Sequence, residues 1–417
     1  MMEETRLILS HPTGNANVRA LLEGLEKKGM LQEFYTCIAL FENSRLYPFT
    51  GRGPLKEFRK RLFSAELEPY TQSRPFYEMG RLISQKLGNP TWTRHETGTF
   101  CIDKVYRDLD NYVSRKLGNR AVYAFEDGAL QTFQQAKLKG ALCLYDLPIG
   151  YWRAMRNLLE KERSEKPEWA ETLQNFKDSE EKLERKDEEL HLADHIFVAS
   201  SFTAETLKSY PGELAPVSMI PYGFPSVAKN RKFDTKENRP LQVLFVGGLS
   251  QRKGISYLFE AAESLKGKVE LTVVGLKPTE TCEVLNQSLA RHRWIPSLPH
   301  SAILDLMRNQ DLLIFPSLFE GFGLVVTEAM SQGTPVITTK RTCGADLIRH
   351  SENGWLVEAG STEAIRIQLE EILENRKSLE QVGRAAMETA QKRPWSSYGE
   401  EMARAVGKVL SNEKVRL

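Results

Sequence analysis

The chain has 417 residues, of which 41% are hydrophobic and 27% are charged, and its formal net charge is +2. This length favours two domains, this composition is that of a folded globular protein, and the near-neutral charge gives no global reason to expect nucleic acid. The 5 cysteines are widely spaced and include no CxxC pair, which argues against a disulfide framework and against a zinc cluster.

No stretch of the sequence reaches the ~18 apolar residues of a membrane span, and the first residues are acidic where those of a signal peptide would be basic. We therefore expect a cytoplasmic protein whose contact with a membrane would be peripheral and on the inner face. Residues 52–63 are the candidate for that contact because cations are mixed there with apolar side chains, although an ordinary surface helix has the same pattern.

Two series of short apolar runs alternate with amphipathic segments, and this order predicts an α/β protein with two parallel sheets and crossover helices. β-Branched residues are frequent in these runs and alternation is weak, as in strands that are covered on both faces. The first series comprises TRLILS, FYTCIAL, AVYAF, ALCLYDL and HIFVAS, and the second comprises LQVLFVGG, VELTVVG, DLLIFPS, PVITTK and GWLVE.

A polar segment with prolines and no periodicity separates the two series and predicts an interdomain connection. The predicted organisation is a first domain over residues 1–222, a linker over 223–240, a second domain over 241–394 and a terminal helix over 395–417. Residues 160–195 are rich in Glu and Lys at helical spacing, which predicts the solvated face of long helices, with a partner-binding surface as the alternative.

In open α/β sheets, ligands bind beyond the carboxyl ends of the strands, so the loops that follow the strands are candidate sites. One of them, LFEGFG, lies between the strand DLLIFPS and the helix LVVTEAMSQG. The N–H groups of Phe322, Gly323 and Leu324 are predicted to be unpaired donors at the helix start. Glu320 lies in the loop and Glu328 about one turn into the helix, and two such carboxylates can accept hydrogen bonds from a diol.

A second loop follows the strand LQVLFVGG and has Gly247 and Gly248 before Arg252 and Lys253. Glycine lets a backbone approach a ligand closely, and arginine and lysine are donors for phosphate oxygens. The loop contains neither GxGxxG nor GxxxxGK[ST], so it matches neither a dinucleotide-binding fingerprint nor a P-loop.

A third glycine loop, SHPTGNAN, follows the first strand of the first domain. Gly14 and Asn15 would face the second domain across a cleft if both sheets present their strand ends inward. The resulting hypothesis is a small-molecule site enclosed between two domains.

Together these motifs resemble those of the retaining glycosyltransferases of family four, also called glycosyl transferases group 1, which have the GT-B architecture of two facing Rossmann-like domains. The resemblance is carried by Glu320 and Glu328 with the GFG between them, by GTPVI and NGWLVE, and by the RKG turn. It is specific over about residues 240–360 and looser elsewhere. In this fold the terminal helix usually crosses back to the first domain.

The resemblance implies a metal-independent hexosyltransferase that needs no cofactor and retains the anomeric configuration. It would move a sugar from a nucleotide-diphosphate sugar, such as a UDP- or GDP-sugar, to a hydroxyl of a glycan, lipid or small-molecule acceptor. By that resemblance, Arg252 and Lys253 would contact the diphosphate. Glu328 would bind the ribose and Glu320 the transferred sugar. The amides at the helix start would support the sugar and phosphates, and the loop at Gly14 would approach the phosphates.

The sequence departs from the family pattern in three places. Relatives often have arginine directly after the first glycine of the VG turn, where this sequence has Gly248, so Arg252 is expected to supply the charge. Many have a histidine near the transferred sugar at the end of a first-domain strand, and Asp146 in LYDLPIGYW is the candidate in that region. The segment CGADLI stands where two glycines and a glutamate are frequent.

Three other functions are compatible with parts of the pattern. A glycoside hydrolase also uses two carboxylates, but it does not need a cationic glycine turn. The other two are a sugar-nucleotide epimerase of GT-B type and a non-catalytic carbohydrate-binding or scaffold subunit. The presence of both cations together with both glutamates favours the transferase.

Overall fold

The computed structural model of the chain describes residues 6–44, 47–51, 58–234 and 238–413. These residues form two α/β domains, and each domain is built on a parallel sheet with helices on its faces. The α/β class predicted from the alternating apolar runs is confirmed. Within the described ranges, no helix combines the length and the apolar character that crossing a bilayer requires.

The first domain contains a seven-stranded sheet and a short parallel pair of strands. Its strands are β1 Leu7–Ser10, β2 Leu31–Thr36, β3 Leu40–Phe41, β4 Leu62–Phe63, β5 Thr71–Ser73, β6 Ala121–Phe125, β7 Cys143–Leu147, β8 His195–Val198 and β9 Val217–Met219. Its helices are α1 Ala16–Lys27, α2 Phe76–Lys86, α3 Ile102–Ser114, α4 Leu130–Leu138, α5 Trp152–Glu165, α6 Glu180–Leu192 and α7 Ser201–Thr206. The sheet order is β5-β2-β1-β6-β7-β8-β9, and β3 pairs with β4.

The second domain contains a six-stranded sheet. Its strands are β10 Leu241–Val246, β11 Val269–Val274, β12 Arg293–Ile295, β13 Leu312–Phe315, β14 Val336–Thr339 and β15 Trp355–Val357. Its helices are α8 Ile255–Ser264, α9 Glu283–Ala290, α10 His300–Met307, α11 Leu324–Ser331, α12 Gly344–Leu347, α13 Thr362–Glu374 and α14 Lys377–Lys392, followed by α15 Trp395–Glu413. The sheet order is β12-β11-β10-β13-β14-β15.

The ten apolar runs of the sequence all contain strands, because both faces of these strands are covered by helices. Every residue of β1, β7, β13 and β14 is buried. The sequence did not predict the edge strands β5, β9 and β12, which have three residues each and are only partly buried. Such short, half-exposed segments lack the apolar run on which the prediction depends.

Helix α15 leaves the second domain and packs along α1 of the first. The two helices meet at glycines: a side chain at Gly24 would collide with the carbonyl of Gly399, and a side chain at Gly399 would collide with the carbonyl of Ala20. Backbone therefore packs directly against backbone at this crossing. The apolar residues Met402, Val406 and Leu410 of α15 are buried in the core that includes the first sheet.

Most charged residues of the segment 160–195 are exposed, as predicted for a solvated face, but several are buried and paired inside the fold. Lys182, Lys186 and Glu189 of α6 are buried, and Lys182 forms an ion pair of 2.8 Å with Asp103 of α3. Glu189 accepts hydrogen bonds from backbone N–H groups at the start of α4, including one of 3.0 Å from Ala129. Charges at helical spacing can be paired inside a fold, and composition alone does not distinguish this case from a solvated one.

The membrane candidate 52–63 lies partly outside the described residues, which resume at residue 58. In the described part, Phe58 packs against the core of the first domain and Phe63 is buried. Leu62 and Phe63 form a strand rather than part of a helix. In the described part of this segment, one apolar side chain is therefore buried and the other two are partly buried.

Replacing Gly399 by alanine is expected to destabilise the protein by about 1–3 kcal/mol, the usual cost of overpacking, because the new methyl group would push α15 away from α1. Chemical denaturation measures the change. Gly407→Ala on the same helix is the matched control, since its methyl group would meet the Met30 side chain at 3.5 Å, an ordinary contact. Equal stabilities of the two variants would contradict the close helix crossing.

Candidate functional site

A cavity of about 420 Å³ lies between the two sheets and is lined by residues of both domains. It brings together most of the residues predicted from the three loops. From the second domain these are Gly247, Gly248, Lys253, Glu320, Phe322, Gly323 and Leu324, and from the first domain Asn15. Gly14, Asp146, Arg252 and Glu328 are not among the described residues that line it, although each lies on an element that borders it.

The cationic turn is a 3-10 helix, Gln251–Lys253, between β10 and α8. It is bonded to the loop that follows β13, because the carbonyl of Arg252 accepts the N–H of Leu318 at 2.9 Å. The Arg252 guanidinium in turn donates to the carbonyl of Phe319 at 2.7 Å. Gly254 ends the turn with a φ of 69°, and a side chain there would collide with the carbonyl of Pro316. The two second-domain loops are therefore hydrogen-bonded and closely packed against each other.

Lys253 and Glu320 form an ion pair on the wall of the cavity, and both side chains are largely buried. The Lys253 ammonium also lies 4.8 Å from the centre of the Phe315 ring. Burial lowers the pKa of Lys253 well below its usual value, and the nearby charge of Arg252 lowers it further. Burial also lowers the pKa of Arg252 to about 10. Two cations thus share one carboxylate here, and an anionic ligand would stabilise their charged forms.

The two predicted glutamates have different surroundings. Glu320 takes part in the cationic cluster, while Glu328 lies about one turn along α11 and forms a 2.9 Å hydrogen bond with Nε2 of His300. This hydrogen bond raises the pKa of the imidazole, and burial opposes the increase. The sequence reading missed His300, which stands at the start of α10, because a lone histidine after a proline carries no recognisable signal.

Gly323 precedes α11 with a φ of 86°, a left-handed conformation that favours glycine. This conformation lets the chain turn from the Glu320 loop directly into the helix. The first N–H groups of any α-helix have no partner within that helix, so the helix start offers donors beside the cavity-lining residues Gly323 and Leu324.

In the first domain, His11 is a cavity-lining residue that the sequence reading passed over in favour of the glycine after it. Its Nδ1 accepts the N–H of Thr13 at 3.1 Å and the N–H of Gly14 at 2.9 Å. Burial lowers the pKa of His11 to about 3, and Arg61 contributes to the decrease, so the ring is neutral. Gly14 has a φ of 61°, and a side chain there would collide with the Phe63 ring.

Asp146 lies near the end of β7, where the sequence placed it, but its side chain is buried beside Tyr123. The Tyr123 hydroxyl donates a hydrogen bond of 2.6 Å to Asp146. Burial raises the pKa of Asp146 to about 7, and this hydrogen bond opposes the increase. Asp146 therefore belongs to a buried pair behind the cavity wall.

Glu126 is the acidic residue that the first domain does present to the cavity. It follows β6, and its carboxylate lies 3.3 Å from the Lys186 ammonium. Burial raises the pKa of Glu126 to about 7, with Lys186 opposing the increase. No sequence pattern singles out this glutamate, because its position depends on the buried partner in α6.

The loop at Gly321 is fastened to the first domain. Its carbonyl accepts hydrogen bonds from the hydroxyls of Ser200 at 2.5 Å and Thr203 at 2.9 Å. A side chain at Gly321 would collide with the carbonyl of Pro148, so only glycine allows this approach. Asp346 belongs to the segment CGADLI, which differs from the family pattern, and its carboxylate accepts the N–H of Ser201 at 3.0 Å.

A second interdomain contact joins the cationic turn to α5 and to the segment that follows it in the first domain. The buried carboxylate of Glu162, at the end of α5, accepts hydrogen bonds from the Gln251 side chain at 2.6 Å and from the Tyr257 hydroxyl at 2.9 Å. The N–H of Gln251 donates to the hydroxyl of Thr172 at 2.9 Å. Gln251 directly precedes the two cations, so the charged segment of the first domain positions the turn of the second.

Among the described residues, the group that could hold a metal ion is His95, Glu96 and Asp178, whose ligand atoms lie within 4.8 Å of one another. The Lys182 ammonium is 3.2 Å from Asp178 and repels a cation at this place. The group does not contribute to the cavity between the sheets.

The two facing α/β domains with a cleft between them have the GT-B fold. The sucrose-phosphate synthase of Thermosynechococcus elongatus superposes with a TM-score of 0.65 at 18% identity, over 99% of this chain and 100% of that one. The HepE protein of Anabaena, in complex with UDP and glucose, superposes with a TM-score of 0.62 at 15% identity, over 97% and 100%. At these identities the similarity establishes the fold.

Residues 226–389 match the family model described as "Glycosyl transferases group 1". The second domain belongs to that family, and the resemblance predicted from its motifs is confirmed. The phosphatidyl-myo-inositol mannosyltransferase of Mycobacterium leprae is 30% identical over 182 residues, which are 42% of this chain and 49% of that protein. The capsular polysaccharide glycosyltransferase CapM of Staphylococcus aureus is 29% identical over 166 residues, 37% of this chain and 43% of that protein. The matches thus span about half the length of these curated relatives or less.

Replacing Glu162 by alanine is expected to destabilise the protein by about 2–4 kcal/mol, because two buried donors lose their acceptor. Chemical denaturation measures this change. Glu165→Ala, one turn further on the same helix, is the control: its exposed carboxylate lies 3.7 Å from Lys161, and its loss should change stability by about 0.5 kcal/mol or less. Similar losses in both variants would contradict the proposed interdomain role of Glu162.

Proposed function

We propose that the protein is a retaining, metal-independent glycosyltransferase that moves a hexose-type sugar from a nucleotide-diphosphate sugar to a hydroxyl of an acceptor. The observation that supports this most is the cluster of Arg252, Lys253 and Glu320 beside the start of α11 in a cavity enclosed by both domains. This cluster has one cation more than it has carboxylates, which suits a ligand that is both anionic and rich in hydroxyls.

The two cations would act on the diphosphate. As the bond between the sugar and the phosphate breaks, negative charge grows on the leaving oxygen, and cations fixed nearby stabilise that charge more than they stabilise the ground state. Lys253 lines the cavity and is the direct contact, while Arg252 holds the loop through the carbonyl of Phe319 and adds its charge from behind. This arrangement supplies positive charge without a metal ion.

The two glutamates would orient the sugars. Glu320 lies on the cavity wall beside Lys253, so its carboxylate can accept a hydrogen bond from the transferred sugar while the ammonium contacts a phosphate. Glu328 lies further along α11 and would bind the ribose, and the hydrogen bond from His300 restricts the orientation of its carboxylate. Retention of configuration is proposed from the family resemblance.

The first domain would bind the acceptor. His11 and Glu126 face the second-domain cluster across the cavity, and they offer a neutral ring and a carboxylate of raised pKa to an incoming hydroxyl. Glycans, lipids and small molecules are the classes of acceptor to be tried. Contact of residues 52–63 with a membrane stays a prediction.

UDP-sugars are the first donors to test, because the HepE structures contain UDP and UDP-glucose. Thermal unfolding with UDP-, GDP- and ADP-sugars would identify the donor, since a ligand bound by the native state raises the melting temperature. Release of nucleotide from the donor, persisting in the presence of a chelator, is the expected activity. Cleavage of free glycosides without nucleotide release would instead favour the hydrolase.

Lys253→Ala is expected to reduce kcat by about 100- to 1000-fold, as for the loss of one group that stabilises developing charge, with a smaller effect on donor affinity. Steady-state assays with the identified donor measure both constants. Lys268→Ala is the control, because this exposed cation precedes β11 and is not among the cavity-lining residues. Unchanged turnover in Lys253→Ala would contradict the proposal that this lysine stabilises the charge that develops on the diphosphate.

Donor affinity is expected to rise by about threefold as the pH increases through the raised pKa of His300, the range of an exposed ion pair. Below that pKa the imidazolium holds Glu328 by charge as well as by a hydrogen bond, and above it the carboxylate is freer to accept ribose hydroxyls. Calorimetry should use the nucleotide sugar, whose diphosphate is esterified at both ends and does not titrate in this range.

His300→Gln should remove this pH dependence, whereas His191→Gln, an exposed histidine of α6, should preserve it. Identical profiles for the wild type and His300→Gln would show that Glu328 does not bind the donor in competition with His300.

A further inference from the structure

Helix α2 of the first domain is apolar on its outer face as well as on its inner face. Tyr77 and Leu82 pack against the first-domain core. On the opposite side, Phe76, Ile83 and Leu87 follow one another at helical spacing and are largely exposed. A surface helix normally carries polar residues on its outer face, so an exposed apolar stripe on this helix is unusual.

The stripe continues into a groove of about 600 Å³ beside α2. Trp92, which is exposed, also lines this groove, together with Phe100 and Tyr112 of α3. The Phe100 ring sits against Gly80, where a side chain would collide with it. The whole face is therefore a continuous apolar and aromatic surface, of the kind that marks an interaction site on a folded domain.

The charge around this face is positive. Residues 58–94, which the structure describes, contain seven Lys and Arg and three Asp and Glu, although the whole chain has 57 and 55, so the remainder of the chain is net negative. Between residues 74 and 94, Glu78 is the only acid, and its side chain has 0% exposure because Arg61 and Arg81 each approach it to 2.7 Å. Arg74, Lys86 and Arg94 are exposed around the stripe. Arg74 forms an ion pair of 3.1 Å with Asp108 of α3, but the described charges here still sum to a positive value.

We propose that this α2 face, consisting of Phe76, Ile83, Leu87 and Trp92 with the surrounding cations, docks the protein on an anionic lipid bilayer. Protruding apolar side chains that insert at the boundary of headgroups and acyl chains, within a ring of Lys and Arg, are the features by which a peripheral protein binds such a surface. A second copy of the chain fits this face less well, because two cationic rims would repel each other.

The α2 face differs from the basic segment 52–63 considered in the sequence, whose described apolar residues are buried or partly buried. It also lies close to the cavity: Tyr106 lines the cavity and Tyr112 lines the groove, both on α3, and six helical residues span about 9 Å. A docked bilayer would therefore lie near the mouth of the cleft. The inference does not depend on the proposed transferase activity.

The test is sedimentation of the full chain with vesicles of phosphatidylcholine, with and without phosphatidylglycerol. The double variant Ile83→Ser with Leu87→Ser removes two side chains that are 50% and 67% exposed. The control replaces Ile367 and Leu138, which are 44% and 79% exposed on α13 and α4, by serine. Exposed positions tolerate serine, and melting temperatures check that both variants are folded.

We expect the wild type to bind the anionic vesicles and to release with added salt, and the α2 variant to bind about tenfold more weakly, with the control unchanged. The tryptophan emission should shift to the blue on binding in the wild type and not in Trp92→Phe. Failure of the wild type to bind, or equal binding by both variants, would overturn the proposal. It would also be overturned if light scattering showed a dimer that the α2 variant dissociates, or if the groove bound monomeric short-chain lipid but no vesicle.

Discussion

The ion pair between Lys253 and Glu320 is the interaction around which the cleft is arranged, because a buried charge is tolerated only where partners and hydrogen bonds compensate its lost hydration. The surrounding contacts supply that compensation. The Arg252 carbonyl fixes one loop to the other, and Gly321 is held by two hydroxyls of the first domain. The cluster therefore keeps its geometry without the ligand, which lowers the ordering cost of binding.

Both domains help to hold the cationic turn in place. They do so through buried polar side chains, whose loss of hydration is offset by hydrogen bonds. Glu162 places a carboxylate of the first domain against the residue that precedes the two cations of the second. Trp169 of the same segment stacks on Phe259 of α8 with ring centres 6.0 Å apart. Glu162 and Trp169 are both buried, so the hydrogen bonds of Glu162 act in a medium of low polarity, where they are strong. Movement of one domain against the other would have to break them.

The sequence predicted the features that follow from local pattern. The apolar runs gave the central strands, and the convergence of loops at the carboxyl ends of β10 and β13 gave the proximity of Lys253 to Glu320. Features that depend on distant partners were not predictable. His300 acquires its role from Glu328, and Glu162 is indistinguishable in the sequence from its solvated neighbours. Asp146 was placed at the correct strand end, but its environment depends on Tyr123, which comes from the neighbouring strand.

The packing of α15 on α1 ties the last part of the chain to the first. Because α15 has 19 residues and packs on the helix that follows β1, the first domain remains incomplete until the end of the second has been synthesised. The N-terminal half emerges from the ribosome well before that point. Until α15 has been made, the surface of α1 that it covers stays exposed, and chaperones can recognise such apolar surface. The first domain can therefore complete its folding only after the second has been synthesised. Truncation of the chain by a few turns of α15 would remove part of the surface that packs on α1.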